Sequence, residues 1–467
     1  MDSSNASSPR LRLIVRQTTK ICDSTMRAIV WNPEDELHGH LELSSAEDIR
    51  IVNTTIYFEG VSRNWINETN VLVPRILSTE RKFLSQAHDI LLSSIIRKES
   101  SPGAFVFDVP FHFIISRAIP CSTPNSPEQC LRLPPSLNLG EQYVDQSTGI
   151  HYAQPSITYF LRAAVSFAGG SQQNCTLLET FLPVTIAPYT EELPPTETND
   201  FPMEFKERES KILQRSYLGG TLGTMSVSLQ EPPAIIYNVS STGTSTSALL
   251  RLEFESTSAS PRNVPKILQG LSFTVFSLIR VKTFYSVKSF PRLPSQSLLE
   301  SFNEMRLRDG IVKLETQLIR DVSWDFRYDS NDNNATLASQ YEPFPIHKAV
   351  LRISKRNAST TNELTGKWIS NWTIPIEVEG RLLPTFCTSL VARFYTLIVR
   401  VKVARARQEM FDLEVPLQVI HAPPRESGST ILEDIREQFL GYRRASEVSW
   451  FSDEFLESEH EPPQYYL

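Results

Sequence analysis

Glycine and cysteine are scarce in this chain, and their scarcity narrows what it can be. Glycine numbers 17 against 31 prolines, and no glycine-rich loop of the kind that cradles phosphates occurs, nor any G-x-S-x-G nucleophile elbow. The five cysteines, Cys22, Cys121, Cys130, Cys175 and Cys387, are odd in number and widely scattered. That pattern excludes a disulfide framework and lacks metal-ligand spacing, so reduced, mostly buried thiols are expected. No cysteine has a recognisable catalytic context. Long apolar runs are missing too: "LSFTVFSLI" and "FYTLIV" fall far short of the roughly 20 residues that a membrane-spanning helix needs.

The opening "MDSSNASSPRLRLIV" shows no basic stretch followed by an apolar one, so no secretory leader is expected and the chain reads as cytosolic. On that reading the glycosylation sequons at Asn53, Asn174 and Asn371 are chance matches. A secreted β-sandwich adhesin, the rival reading, requires sugar on them. A net charge of −7 argues against nucleic acid as a partner. The histidines at 38, 40, 88, 112, 151, 347, 421 and 460 are scattered. Only His38 and His40 lie two apart on one strand face, as a metal pair would, and no third ligand stands at a telling distance. Surface or core histidines are therefore expected, with no metal, no cofactor and no catalytic residues: the chain reads as a non-enzyme.

What is present in abundance is alternation. In "RLRLIVR", Leu11, Leu13 and Val15 share one face, with Arg12 and Arg16 on the other. In "IRIVNTTIYFEG", Val52, Thr54, Ile56 and Phe58 oppose Thr55, Tyr57 and Glu59, and Gly60 is expected to end the run. "FVFDVPFHF" and "SITYFLRAAVSF" continue the period-2 habit, rich in β-branched and aromatic residues. With 467 residues, two large β domains are expected, each an antiparallel sandwich. The acidic, proline-rich stretch "YTEELPPTETNDFPMEF" at 189–205 has no periodicity and marks the linker. The domains are accordingly placed at 9–188 and 206–421, with a tail at 422–467. "PSQSLLESFNEM" is the best internal helix. Within the tail, "STILEDIREQFLGYR" changes period, placing Ile431, Ile435 and Phe439 on one face of an amphipathic helix. A disordered acidic end is expected after it.

The order and wording of the strands resemble the arrestin fold, in particular the fungal α-arrestins, which are trafficking adaptors. The family's Y-x-L-x-A-x-V strand is similar to Tyr159, Leu161, Ala163 and Val165. The final hairpin pattern, P-S-F, Y-x-L-x-V and L-x-V-P-V-x-I, matches at Pro384, Phe386, Tyr395, Leu397, Val399, Leu413, Val415 and Pro416. The resemblance covers about residues 9–421. Two departures stand out: 64–103 is more elaborate than a simple connection, and the buried charged cluster by which visual-type arrestins sense receptor phosphates is not legible.

The chain ends "EHEPPQYYL". Polyproline II has three residues per turn, so Pro462 and Tyr465 lie on one side of an extended segment with Pro463 beside them. This is the pattern that WW domains read. The alternatives are prolines that merely keep the tail from folding back, and a PDZ ligand using Tyr465 and Leu467. Ser446, behind Arg443 and Arg444, has the spacing of a phosphorylation site, or else that stretch is an ordinary basic helix end. Arg400, Lys402, Arg405 and Arg407 cluster near the last hairpin, with Arg280 and Lys282 on another strand. They form either a contact for acidic cargo segments or anionic lipid, or a solvated face. The resemblance implies an adaptor that links a membrane transporter or receptor to a WW-domain HECT-type ubiquitin ligase, peripheral at the plasma membrane and endosomes. The alternative is a sorting-coat scaffold of retromer type working without a ligase.

Overall fold

The computed structural model of the chain describes residues 9–17, 20–22, 30–68, 75–101, 104–119, 131–139, 142–144, 151–169, 175–194, 196, 198, 201, 203–214, 220–237, 244–256, 264–328, 366–404 and 409–423. Among them, strands dominate, interrupted by a 3-10 turn at Leu92–Ser94 and two six-residue helices, Val264–Gln269 and Gln296–Ser301. The expected all-β sandwich architecture is what the chain adopts. The C-terminal helix expected near 430–443 and the acidic end lie outside the described residues.

In the first half, one sheet runs in the order Lys20–Cys22, Arg10–Gln17, Glu36–Ser45, Ala104–Ile114 and Ile96–Ser101. The facing sheet runs Val30–Trp31, Cys175–Ile186, Ser156–Gly169, Ile49–Glu68 and Arg75–Asp89, with Leu137–Asn138 alongside Ser156–Gly169. Alternate residues of both turn inward: Leu37, Leu41, Val109 and Phe113 meet Phe58, Tyr159, Leu161 and Val165 in one core. Burying each such aliphatic or phenyl side chain contributes about 1.5–3 kcal/mol, and the Tyr159 hydroxyl is satisfied by donating to the Pro134 carbonyl at 2.7 Å.

The second half repeats the plan. Arg208–Gln214, Thr221–Leu229, Thr244–Ser256, Gly366–Val378 and Asp325–Tyr328 form one sheet. Met305–Lys313, Ser272–Ser286, Val391–Ala404 and Phe386–Cys387 form the other, to which Met410–Leu417 adds beside Val391–Ala404. A second core of Leu250, Phe254, Phe273, Leu397, Val401 and Phe411 lies between them. Ser272–Ser286 and Val391–Ala404 also reach the first core, to which Tyr285 and Val391 contribute.

Several local expectations are corrected. Gly60 does not end its strand, which continues from Ile49 to Glu68. Instead the neighbouring strand skips Phe83 in its register there, and the Phe83 ring occupies the space a Cβ at Gly60 would need, 2.7 Å away. Val52 faces solvent, because pairing with Ser156–Gly169 passes from Asn53 to Ile51 and leaves Val52 as the extra residue of a bulge. Ile49 and Ile51 therefore join Thr54, Ile56 and Phe58 inside. Glu59, expected on the solvent side, is buried beneath Lys82 and Arg162, at 2.6 and 3.2 Å. Burial drives its pKa up, but the hydrogen bonds from Lys82 and Arg162 outweigh it and hold the carboxylate below its ordinary value. The elaborate stretch at 64–103 consists largely of strand, Arg75–Asp89 and Ile96–Ser101. Of the thiols, Cys387 is buried but Cys175 is exposed.

The described part of 189–205 carries no strand or α-helix, yet it is tied to the second half. The Thr190 N–H donates to the His421 carbonyl at 2.9 Å, and Leu193 exchanges two hydrogen bonds with the Gln418 amide.

Candidate functional site

The exposed face of the first sheet carries a groove of about 410 Å³ lined by Arg16, His38, His40, His88, Asp108 and His112, among others. Four of the chain's eight histidines meet there. The cause is alternation combined with register. In Glu36–Ser45 the leucines at 37, 41 and 43 turn to the core, which leaves Glu36, His38 and His40 on the outer face. In Ala104–Ile114 the inward set is Phe107, Val109, Phe111 and Phe113, which leaves Asp108, Pro110 and His112 outward. The antiparallel register places His38 opposite His112, and His40 opposite Pro110.

Opposed residues on one face of such a pair have Cβ atoms about 4.5–5.5 Å apart, and the two imidazoles stack with centroids 4.9 Å apart and an interplanar angle of 23°. Glu36, two residues before His38 on the same face, brings a carboxylate oxygen 2.9 Å from His38 Nε2. One donor atom from each of Glu36, His38 and His112 lies within 4.8 Å of the others, so nitrogen and oxygen donors of a kind suited to a divalent ion converge. On the far side of His38, Arg16 is its cross-strand neighbour. Deeper in, the Asp108 carboxylate is held by Lys98 at 3.3 Å and stands 3.9 Å from His40 Nε2.

Between His38 and His40, Gly39 has the parity of Leu37 and Leu41 and turns to the core face, opposite the buried Phe111. A Cβ at that position would lie 2.4 Å from the Phe111 ring and 2.5 Å from the Ile14 carbonyl oxygen, so the two strands flanking Glu36–Ser45 close over a residue without a side chain.

No protein-family model matches the chain, and no curated protein matches it in sequence.

The sites expected from sequence are distributed differently. Pro462, Pro463, Tyr465, Ser446, Arg405 and Arg407 lie outside the described residues. Arg400 and Lys402 both sit on exposed positions of Val391–Ala404, and Arg400 pairs with Asp412 at 3.0 Å. A half-exposed pair of this kind is worth no more than about 1 kcal/mol. Arg280 makes a two-pronged contact with Asp309, at 3.1 and 2.7 Å. Lys282 is 3% exposed and is no part of a surface; its ammonium lies between Glu414 at 3.2 Å and Glu204 at 3.4 Å.

In the sequence His38 and His40 stand out as a pair, and nothing joins His112 or Glu36 to them. The only trace available was that Glu36, His38 and His112 each fall on the polar phase of an alternating run. Which two runs are neighbours, and in what register, is decided by pairing across the sheet.

Proposed function

We propose that the chain is a non-enzymatic adaptor of the α-arrestin type, linking a membrane transporter or receptor to a WW-domain HECT-type ubiquitin ligase and so promoting cargo ubiquitination and endocytosis. The observation that carries the reading is the P-P-x-Y run at 462–465, together with the ordered strand signatures of the preceding 400-odd residues. Those signatures coincide with core positions: Tyr159, Leu161, Ala163 and Val165 are successive inward residues of one strand, as are Tyr395, Leu397 and Val399 of another. They therefore speak for architecture, and the output rests on the tail. A WW groove takes the proline face and the tyrosine ring of a segment with little ordering entropy left to lose. Ubiquitin transfer belongs to the ligase, and the adaptor contributes effective concentration near cargo lysines. It works in the cytoplasm, peripheral to the plasma membrane and endosomes.

The test is binding of the full chain to immobilised WW domains of a HECT-type ligase. Tyr465→Ala is expected to weaken binding at least about tenfold, the equivalent of 1.4 kcal/mol. Undiminished binding by that variant overturns the ligase link, and recovery of coat subunits in its place favours a retromer-type scaffold.

A further inference from the structure

We propose that Glu36, His38 and His112 form a binding site for a divalent first-row transition ion, zinc being the ion we commit to. The argument starts from register. His38 and His112 are directly opposed on adjacent antiparallel strands, and their side chains stand on the exposed face of a sheet whose other face is fixed by Leu37, Leu41, Phe111 and Phe113 in the core. The backbone positions of both imidazoles are thus set by packing that neither ring takes part in, which is the preorganisation that a two-histidine site needs.

Distances decide whether an ion fits. Zinc binds imidazole nitrogen and carboxylate oxygen at about 2.0–2.2 Å, so donors around a tetrahedral ion stand roughly 3.3–3.5 Å apart. The three donor atoms here already lie within 4.8 Å of one another, and Glu36 and His38 are in contact at 2.9 Å. Closing the remaining gap takes small rotations of side chains that are all exposed and not wedged by the core. The cost is rotamer freedom, the His38–His112 stack and the Glu36–His38 hydrogen bond, whose proton moves off Nε2 if that nitrogen takes the ion. Two neutral imidazoles and one carboxylate give a donor set of charge −1, which a dication converts to +1. Zinc accepts this nitrogen-nitrogen-oxygen combination with one further position open. Arg16, opposite His38 on the adjacent strand, lines the same groove. The ion would bridge the third and fourth strands in the order of this sheet, Glu36–Ser45 and Ala104–Ile114, across chain segments far apart in sequence.

The experiment is titration of the full-length, metal-stripped chain with zinc chloride, followed calorimetrically and by melting temperature. The wild type is expected to bind one equivalent at this site and to melt higher with zinc, because an ion bound only by the folded state stabilises it. His112→Ala is expected to lose at least about 10–100-fold in affinity, since loss even of an outer-shell partner costs that much, and to lose the zinc-dependent rise in melting temperature. Glu36→Gln, which preserves shape, is expected to weaken binding in the same direction. The positions are exposed, so both variants should melt like the wild type without zinc. His347→Ala is the control and should bind as the wild type does. Absence of zinc binding by the wild type overturns the proposal, and so does binding that His112→Ala and Glu36→Gln leave intact, which assigns the ion to cysteines or other ligands.

Discussion

At the scale of single residues, the clearest case is His421, which is 1% exposed. Its Nε2 lies 2.8 Å from the Leu382 carbonyl and its Nδ1 3.5 Å from an Arg381 guanidinium nitrogen. Burial, aided by the charge of Arg381, pushes its pKa down to about 3 from an ordinary 6.5, with the Leu382 hydrogen bond acting in the opposite sense. The fold holds the neutral ring, so the stability it confers is complete above about pH 6.5. It is lost as pH falls from there towards 3, where the unfolded chain takes up a proton that the folded one refuses, at up to about 1.4 kcal/mol per pH unit. Urea unfolding of the wild type between pH 7 and 4 should show this slope, and His421→Gln should flatten it by about one proton; equal slopes would refute the assignment. Gly39 is a second such case. Alanine there must displace the Ile14 carbonyl oxygen as well as the Phe111 ring, and backbone yields less readily than a side-chain end. Gly39→Ala should lower stability by about 1–3 kcal/mol, read from the urea midpoint at constant slope. The need for a glycine at 39 was not legible in "LHGHL", because the side chain that fills the space belongs to another strand.

The elements themselves were largely legible. Alternation marks Arg10–Gln17, Ala104–Ile114 and Ser156–Gly169 as strands because each buries one face, and burial is written in every second residue. It failed where pairing departs from ideal. Val52 looks inward by parity, and only the bulge opposite Ser166 and Phe167 turns it out; a bulge is a relation between two strands and leaves no mark in one. The helix within "PSQSLLESFNEM" was found but is shorter than the run, spanning Gln296–Ser301 with Ser295 capping the Leu298 N–H at 3.2 Å. Its first N–H, from Gln296, donates to Glu204 Oε1 at 2.6 Å, while Glu204 Oε2 faces the buried Lys282 ammonium. A stretch that composition marks as linker therefore supplies both a cap and a counter-charge. Glu204→Ala removes both together. It should destabilise by about 2–4 kcal/mol, since a lost cap costs about 1 and a buried cation deprived of one of two partners costs more. Pairing it with Lys282→Met in a double-mutant cycle should recover the charge part, leaving the capping part.

At the scale of the whole molecule, sequence places two β units side by side but does not show how they are joined. The joint is built from the ends of long strands. Ser272–Ser286 and Val391–Ala404 run from the second core into the first, where Tyr285 and Val391 pack. Asn64, 2% exposed, donates from its amide to the carbonyls of Ser286 at 2.8 Å and Leu390 at 3.1 Å. Arg81 reaches the hydroxyls of Ser289 and Ser389 at 2.8 and 3.1 Å, and Gln154 donates to the Tyr285 hydroxyl at 2.7 Å. None of these side chains is conspicuous in sequence, since an asparagine in "SRNWINE" reads as an ordinary polar position. Leu390 keeps the N–H of Ser286 as a partner if Asn64 is truncated, whereas the Ser286 carbonyl loses a buried donor, at about 1–3 kcal/mol. Since both strands belong to both cores, the wild type should unfold in one cooperative calorimetric transition. Asn64→Ala combined with Arg81→Ala weakens the joint without touching the interior of either core, so it should lower the onset of melting and broaden or split the transition. Unchanged, single-step melting of the double variant would show that the shared strands alone hold the halves together and that the polar contacts contribute nothing to their union.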